Sequence, residues 1–175
     1  MTPTSPVDEN TAALAVQAGR VLLAAGLKVV TAESCTGGGV AAALTDVAGS
    51  SQWFERGYVT YSNASKIHDL GVEPALIERH GAVSAAVVEQ MAAGALRASG
   101  AQIAVAVSGV AGPGGGTADK PVGLVFFAVL RRNGAPNVLR EQFAGDRAAV
   151  RRASVAAALW LIVQAAEAGN FDTNA

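Results

Sequence analysis

Residues 27–39 read Leu27-Lys28-Val29-Val30-Thr31-Ala32-Glu33-Ser34-Cys35-Thr36-Gly37-Gly38-Gly39, and this stretch decides the fold. Leu27 to Ala32 is apolar, continuous and β-branched at its centre, the pattern of a strand buried on both faces. Three glycines then allow backbone conformations that most residues resist, so several N–H groups of the turn can face one point. Val40 to Val47 (VAAALTDV) follows with a helical composition. A buried strand, a glycine turn and a helix form the opening unit of an α/β sheet.

Upstream, Leu14, Ala18, Val21, Leu22 and Ala25 share one face of a helix that starts at Asp8 as its cap and is closed by Gly26. Residues 1–7 hold two prolines and are expected to be a disordered leader, with residues 170–175 as a flexible tail and 8–169 as a single domain. Downstream, residues 57–62 form a second strand ending near Tyr61, and Asn63 to Leu70 a short helix stopped by Gly71. Pro74 opens another helix reaching His80. Ser84 is expected to cap a longer helix that runs toward Gly100. Strands at 102–108, 122–130 and 137–143 follow, the last two joined by an Asn133-Gly134 turn, and a final helix runs from Asp146 to about Ala168. Strands joined through helices should be parallel and those joined by loops should alternate. The expected architecture is a three-layer α/β/α sandwich on a mixed, mostly parallel sheet of about five strands.

Thirteen Lys and Arg against 14 Asp and Glu give a formal charge of −1, with no basic patch of the kind that binds nucleic acid. One cysteine leaves neither a disulfide nor a CxxC metal pair. The N-terminus lacks a signal-peptide pattern, and no run is read as approaching the ~18 apolar residues of a membrane span. The chain is expected to be cytoplasmic, without membrane contact.

Ser34 beside the turn amides has the parts for acyl transfer: a hydroxyl nucleophile, and donors for the oxyanion formed when a carboxamide carbon is attacked. The same donors could hold a phosphate, and Ser34 could equally be a turn residue. A base is needed. His68 and His80 lie in short exposed helices without an orienting carboxylate, whereas Lys66, if desolvated, can accept a serine proton. Tyr61 is either a relay for that proton or a core aromatic. Cys35 is a rival nucleophile or a small buried thiol. The loop from Ser108 to Thr117 holds five glycines after a buried strand, as a ligand loop or a structural hairpin does.

Together, AESCTGG (Ala32 to Gly38), GYVTYSNASK (Gly57 to Lys66), HGAVS (His80 to Ser84), SGVAGPGGGTADKPVG (Ser108 to Gly123) and FAGDR (Phe143 to Arg147) resemble the CinA C-terminal domain family, the nicotinamide-nucleotide amidases. The resemblance implies hydrolysis of the carboxamide of nicotinamide mononucleotide (NMN) to nicotinate mononucleotide and ammonia, without a metal or cofactor. It places Ser34 on the nucleophile, Tyr61 and Lys66 on the family's tyrosine and lysine, and Arg147 on an arginine after the glycine-aspartate pair. Cys35, Thr36, Gly37, Gly38, Asn63, Ser108, Gly109, Gly112, Gly115, Thr117 and Arg147 are the expected substrate contacts. Many relatives have threonine where Ser108 stands. Expected partners are the nucleotide and further copies of the chain, with no nucleic acid. A competence-associated interaction protein and a non-catalytic nucleotide binder are the alternatives, and the latter has no need of Lys66.

Overall fold

The computed structural model describes residues 10–168. The leader at 1–7, the Asp8 cap and the tail at 170–175 lie outside them. The elements are α1 (Thr11–Ala25), β1 (Val29–Glu33), α2 (Gly39–Thr45), β2 (Phe54–Val59), α3 (Asn63–Leu70), α4 (Pro74–His80), α5 (Ala85–Arg97), β3 (Ile103–Gly109), β4 (Leu124–Arg131), β5 (Asn137–Gln142) and α6 (Arg147–Glu167). The sheet order is β2-β1-β3-β4-β5. β1 runs parallel to β2 and β3, and β4 and β5 are antiparallel to their neighbours, as the connections predict.

Alternation along β3 explains the Ala- and Val-rich composition. Ile103, Val105 and Val107 face a core shared with α1, α2 and α6. Ala104 and Ala106 face the other side, where α5 packs on them together with Ala32 and Ala128. The small side chains let that helix lie close to the sheet. α3 is brought in by the same means: a Cβ on Gly94 of α5 would sit 1.9 Å from the Leu70 carbonyl oxygen, so only glycine permits the contact.

Several expectations shift. α1 is capped by Asn10, whose side chain accepts the Ala12 N–H. β1 extends one residue further, to Glu33. β2 ends at Val59, so Tyr61 lies in the connection to α3 and not on a strand. The hydrogen bonding explains this: Thr60 N–H still reaches the Glu33 carbonyl at 2.9 Å, but Ser62 then turns to cap α3, its Oγ accepting the Ser65 N–H. Ser84 precedes α5 without a side-chain capping bond and donates instead to the Gly81 carbonyl. The expectation that no segment reaches membrane-span character is corrected for α6, which by length and composition is apolar enough to cross a bilayer. Its apolar side is packed against β3, β4 and α1, and it carries Arg147, Arg151 and Arg152 at its start.

Candidate active site

From β1 the chain passes to β2 on one side and, later, to β3 on the other, so the carboxyl ends of β1 and β3 flank a topological switch point. Open α/β sheets bind ligands in the crevice at such a point. A cleft of about 310 Å³ lies there, within the range of small-molecule sites, lined by Ser34, Cys35, Tyr61, Asn63, Lys66, Ala82, Val83, Ser108–Ala111, Gly112, Gly114, Gly115 and Arg147. The structure thus brings together both glycine-rich segments and residues from α3 and α6.

Ser34 is the first residue after β1. Its N–H donates to the Val107 carbonyl at 3.0 Å and its carbonyl accepts the Gly37 N–H at 3.0 Å, which fixes its backbone between β3 and the turn. Gly37 and Gly38 have φ of 60° and 91°, the conformations that require glycine, whereas Gly39 has an ordinary helical start. Lys66 Nζ lies 3.0 Å from Ser34 Oγ, 2.7 Å from the Thr60 carbonyl oxygen and 3.4 Å from that of Tyr61. Lys66 is 1% exposed, and among the described residues it forms no ion pair. Desolvation lowers its pKa from the ordinary 10.5, opposed by the neighbouring Cys35 thiol.

A neutral amine has two N–H donors and one lone pair. If neutral, Lys66 can give these two donors to the carbonyls and turn its lone pair to the Ser34 hydroxyl; if protonated, it donates to all three oxygens.

Tyr61 is 59% exposed, and its phenol accepts from Arg147 at 3.0 Å instead of touching the lysine amine. Arg147 also donates to the Gly112 carbonyl at 2.9 Å, bridging the two sides of the cleft mouth with no acidic partner among the described residues. Ser108 Oγ donates to the Ala82 carbonyl at 2.8 Å, and Lys120 Nζ to that of His80, so the long glycine loop is tied to the 80–84 segment. Asn63, Gly109, Gly112 and Gly115 line the cleft.

Thr36, Gly37, Gly38 and Thr117 do not line it. The Thr36 side chain is buried against Glu33, and Thr117 Oγ1 accepts the Lys120 N–H. The turn's amides are also less free than its glycines suggest. Gly37 and Gly39 N–H groups bond within the turn, and those of Val40 and Ala41 go to the Glu33 carboxylate. The amino end of α2 is therefore occupied by the protein's own anion.

Glu33 and Arg151 were not singled out from the sequence. Glu33 is fully buried, and Arg151 donates from α6 to the Thr36 carbonyl at 2.9 Å. The available signal was a charged residue closing a strand buried on both faces. His68 has a 90% exposed side chain paired with Asp69, His80 is exposed, and neither lines the cleft.

Cys35 is 6% exposed, and burial, with the nearby Glu33 charge, raises its thiol to a pKa of about 11. Such a thiol is almost wholly protonated at neutral pH and is a poor nucleophile. Cys35→Ala is expected to keep kcat within about threefold of the parent in an ammonia-release assay; a loss of about 10²-fold would reassign the nucleophile. Among the described residues no cluster of three His, Cys, Asp or Glu side chains could hold a metal ion.

Residues 11–166 match the CinA C-terminal domain. The chain is 52% identical over 157 residues to the nicotinamide-nucleotide amidohydrolase PncC of Escherichia coli (strain K12), covering 90% of this chain and 95% of that protein. It is 57% identical over 146 residues to the protein of the same name from Pseudomonas putida, covering 83% and 91%. The crystal structure of the competence/damage inducible protein CihA from Agrobacterium tumefaciens superposes with a TM-score of 0.86 at 46% identity, covering 88% of this chain and 94% of that one. The fold, the cleft at the switch point and these similarities agree: the chain belongs to the CinA C-terminal domain family.

Proposed function

We propose that this chain hydrolyses the carboxamide of NMN, with Ser34 as nucleophile and Lys66 as its base. The observation that carries the chemistry is the buried Lys66 amine, 3.0 Å from Ser34 Oγ and without a counter-ion among the described residues. The substrate is supported by the relatives named nicotinamide-nucleotide amidohydrolase. Lys66 takes the Ser34 proton as the hydroxyl attacks the amide carbon. The amides of Cys35, Thr36 and Gly38 make no main-chain hydrogen bond within the turn, and we assign the oxyanion to that of Cys35, the one of the three residues that lines the cleft. Lys66 returns the proton to the leaving nitrogen, ammonia departs, and water, deprotonated by the same amine, releases nicotinate mononucleotide.

The Glu33 carboxylate at the start of α2 repels a phosphate from the first glycine turn. The phosphate therefore goes to the Arg147 side, beside Gly112, Gly114 and Gly115. Tyr61 orients that arginine at the mouth. A non-catalytic nucleotide binder would gain nothing from burying a lysine with no counter-ion, a placement that costs stability.

The test is release of ammonia and nicotinate mononucleotide from NMN by the purified protein in the presence of a chelator. Absence of ammonia at every NMN concentration would overturn the proposal. Arg147→Ala is expected to raise KM for NMN about 10- to 100-fold, the worth of a charge-assisted phosphate contact, with a smaller change in kcat. The same substitution should barely alter turnover of nicotinamide riboside, which has no phosphate. An equal loss on both substrates would remove Arg147 from the phosphate.

A further inference from the structure

Glu33 is a fully buried ionisable group that this hydrolysis does not use. It closes β1, is 0% exposed, and forms no ion pair among the described residues. Three donors converge on its two oxygens: Thr36 Oγ1 at 2.7 Å and the Val40 N–H at 3.0 Å on one, the Ala41 N–H at 2.8 Å on the other. Contacts that are all donors suit the ionised carboxylate, which only accepts. Burying a lone carboxylate costs several kcal/mol unless hydrogen bonds compensate, and these three do so.

Capping α2 alone would not call for this residue, since a Ser or Asp at the cap position serves that purpose. Here the cap position is Gly38, which has no side chain to offer. The glutamate reaches instead from the strand end, over the intervening turn, to the first turn of the helix. Its main chain makes a second connection. The Glu33 carbonyl accepts the Thr60 N–H at 2.9 Å, and the Thr60 carbonyl accepts from Lys66 Nζ at 2.7 Å. Glu33 is thus bonded directly to Ser34 and linked through the main chain of one residue, Thr60, to Lys66.

We propose that Glu33 is a positioning residue: its carboxylate locks the 34–38 turn so that the Ser34 hydroxyl stays on the Lys66 amine. This rests on the amidohydrolase function proposed above. Glu33 touches no substrate and transfers no proton. Its effect is on the distance and direction between nucleophile and base, where a drift of about 1 Å can cost about 10²-fold in rate.

Two variants and two readouts test it. Glu33→Gln keeps the volume but replaces one acceptor oxygen with a donor; Thr36→Val keeps volume and charge and deletes one of the three donors. The first readout is kcat, KM and the pH profile on NMN. The second is the rate at which a fluorophosphonate probe modifies Ser34, followed by mass spectrometry, which needs no NMN. Both are taken well below each variant's own unfolding midpoint. Glu33→Gln should lower kcat about 10-fold or more with KM within about threefold and the pH limb unmoved, and should slow Ser34 labelling in parallel. Thr36→Val should lower both rates by about three- to tenfold. If Glu33→Gln does not fold, Thr36→Val decides. Folded variants that match the parent within about twofold in both rates would overturn the positioning role, as would a displaced pH limb with an unchanged plateau. A parent that labels at Ser34 but releases no ammonia from NMN overturns the function alone, and the labelling rates still decide Glu33. A parent that takes no label at Ser34 overturns both.

Discussion

Ser34→Ala is expected to slow ammonia release from NMN by about 10⁴-fold or more while leaving the NMN dissociation constant within about threefold. The hydroxyl is the nucleophile in the proposed reaction, so its removal eliminates the acyl-transfer route and not merely a stabilising contact. Binding should persist because the proposed phosphate and ring contacts come from elsewhere: Arg147, the loop from Gly109 to Gly115, and the apolar wall of Ala82, Val83 and Val110. The backbone of residue 34 is held by Val107 and Gly37 through main-chain groups, so alanine should not disturb the turn. Turnover by pre-steady-state assay and binding by calorimetry on the same preparation separate the two effects. A variant that kept more than about one-tenth of parental kcat would exclude Ser34 as nucleophile.

The second large effect belongs to Lys66. Lys66→Arg should retain about 1% of kcat or less, because a guanidinium stays protonated at any working pH and cannot accept the Ser34 proton. In the parent, kcat at saturating NMN should rise with pH through the ionisation of Lys66, since only the neutral amine is a base. Burial moves that ionisation downward from 10.5 and so toward the working range. Stability follows the same ionisation. With its folded pKa below the unfolded value, Lys66 is deprotonated more readily in the folded chain, which binds fewer protons in the interval between the two. Its contribution is most favourable above 10.5 and is lost as pH falls through that interval to the lowered pKa. Lys66→Met removes the charge that must be desolvated. It should be inactive yet at least as resistant to thermal unfolding as the parent near pH 6, with the difference shrinking as pH rises. A marked loss of stability at pH 6 would show that the lysine is held for structural reasons.

Local signals carried much of the fold. α3 and α4 begin and end where Asn63, Gly71, Pro74 and Gly81 mark them, because a proline in the first turn and a glycine of positive φ at the end act within one turn of the chain. β2 was misplaced by three residues at each end. Phe54, Glu55 and Arg56 form an edge strand with mixed polarity and no continuous apolar run to mark it. At the cleft, Ser34 and Lys66 were legible as candidates because one opens a glycine turn at the end of a buried strand and the other stands near a strand end, and the family resemblance then singled out both. The Tyr61–Arg147 contact was not. It joins groups 86 positions apart, and only the docking of α6 brings them together. Glu33 escaped for a different reason: its partners are backbone amides of the next helix, which have no signature in residue identity.

That docking also bears on when the chain becomes competent during synthesis. Helix α6 supplies Arg147 to the Gly112 carbonyl and the Tyr61 phenol, and Arg151 to the Thr36 carbonyl. It also covers the β3–β4 face against α1. While α6 is still inside the ribosomal tunnel, the β3–β4 part of that face lacks its cover and the cleft has no wall on its Arg147 side. Domains fold as units as their sequence emerges. Hydrolytic capacity should therefore appear in one step, when α6 clears the exit, with no partially active nascent chain before it.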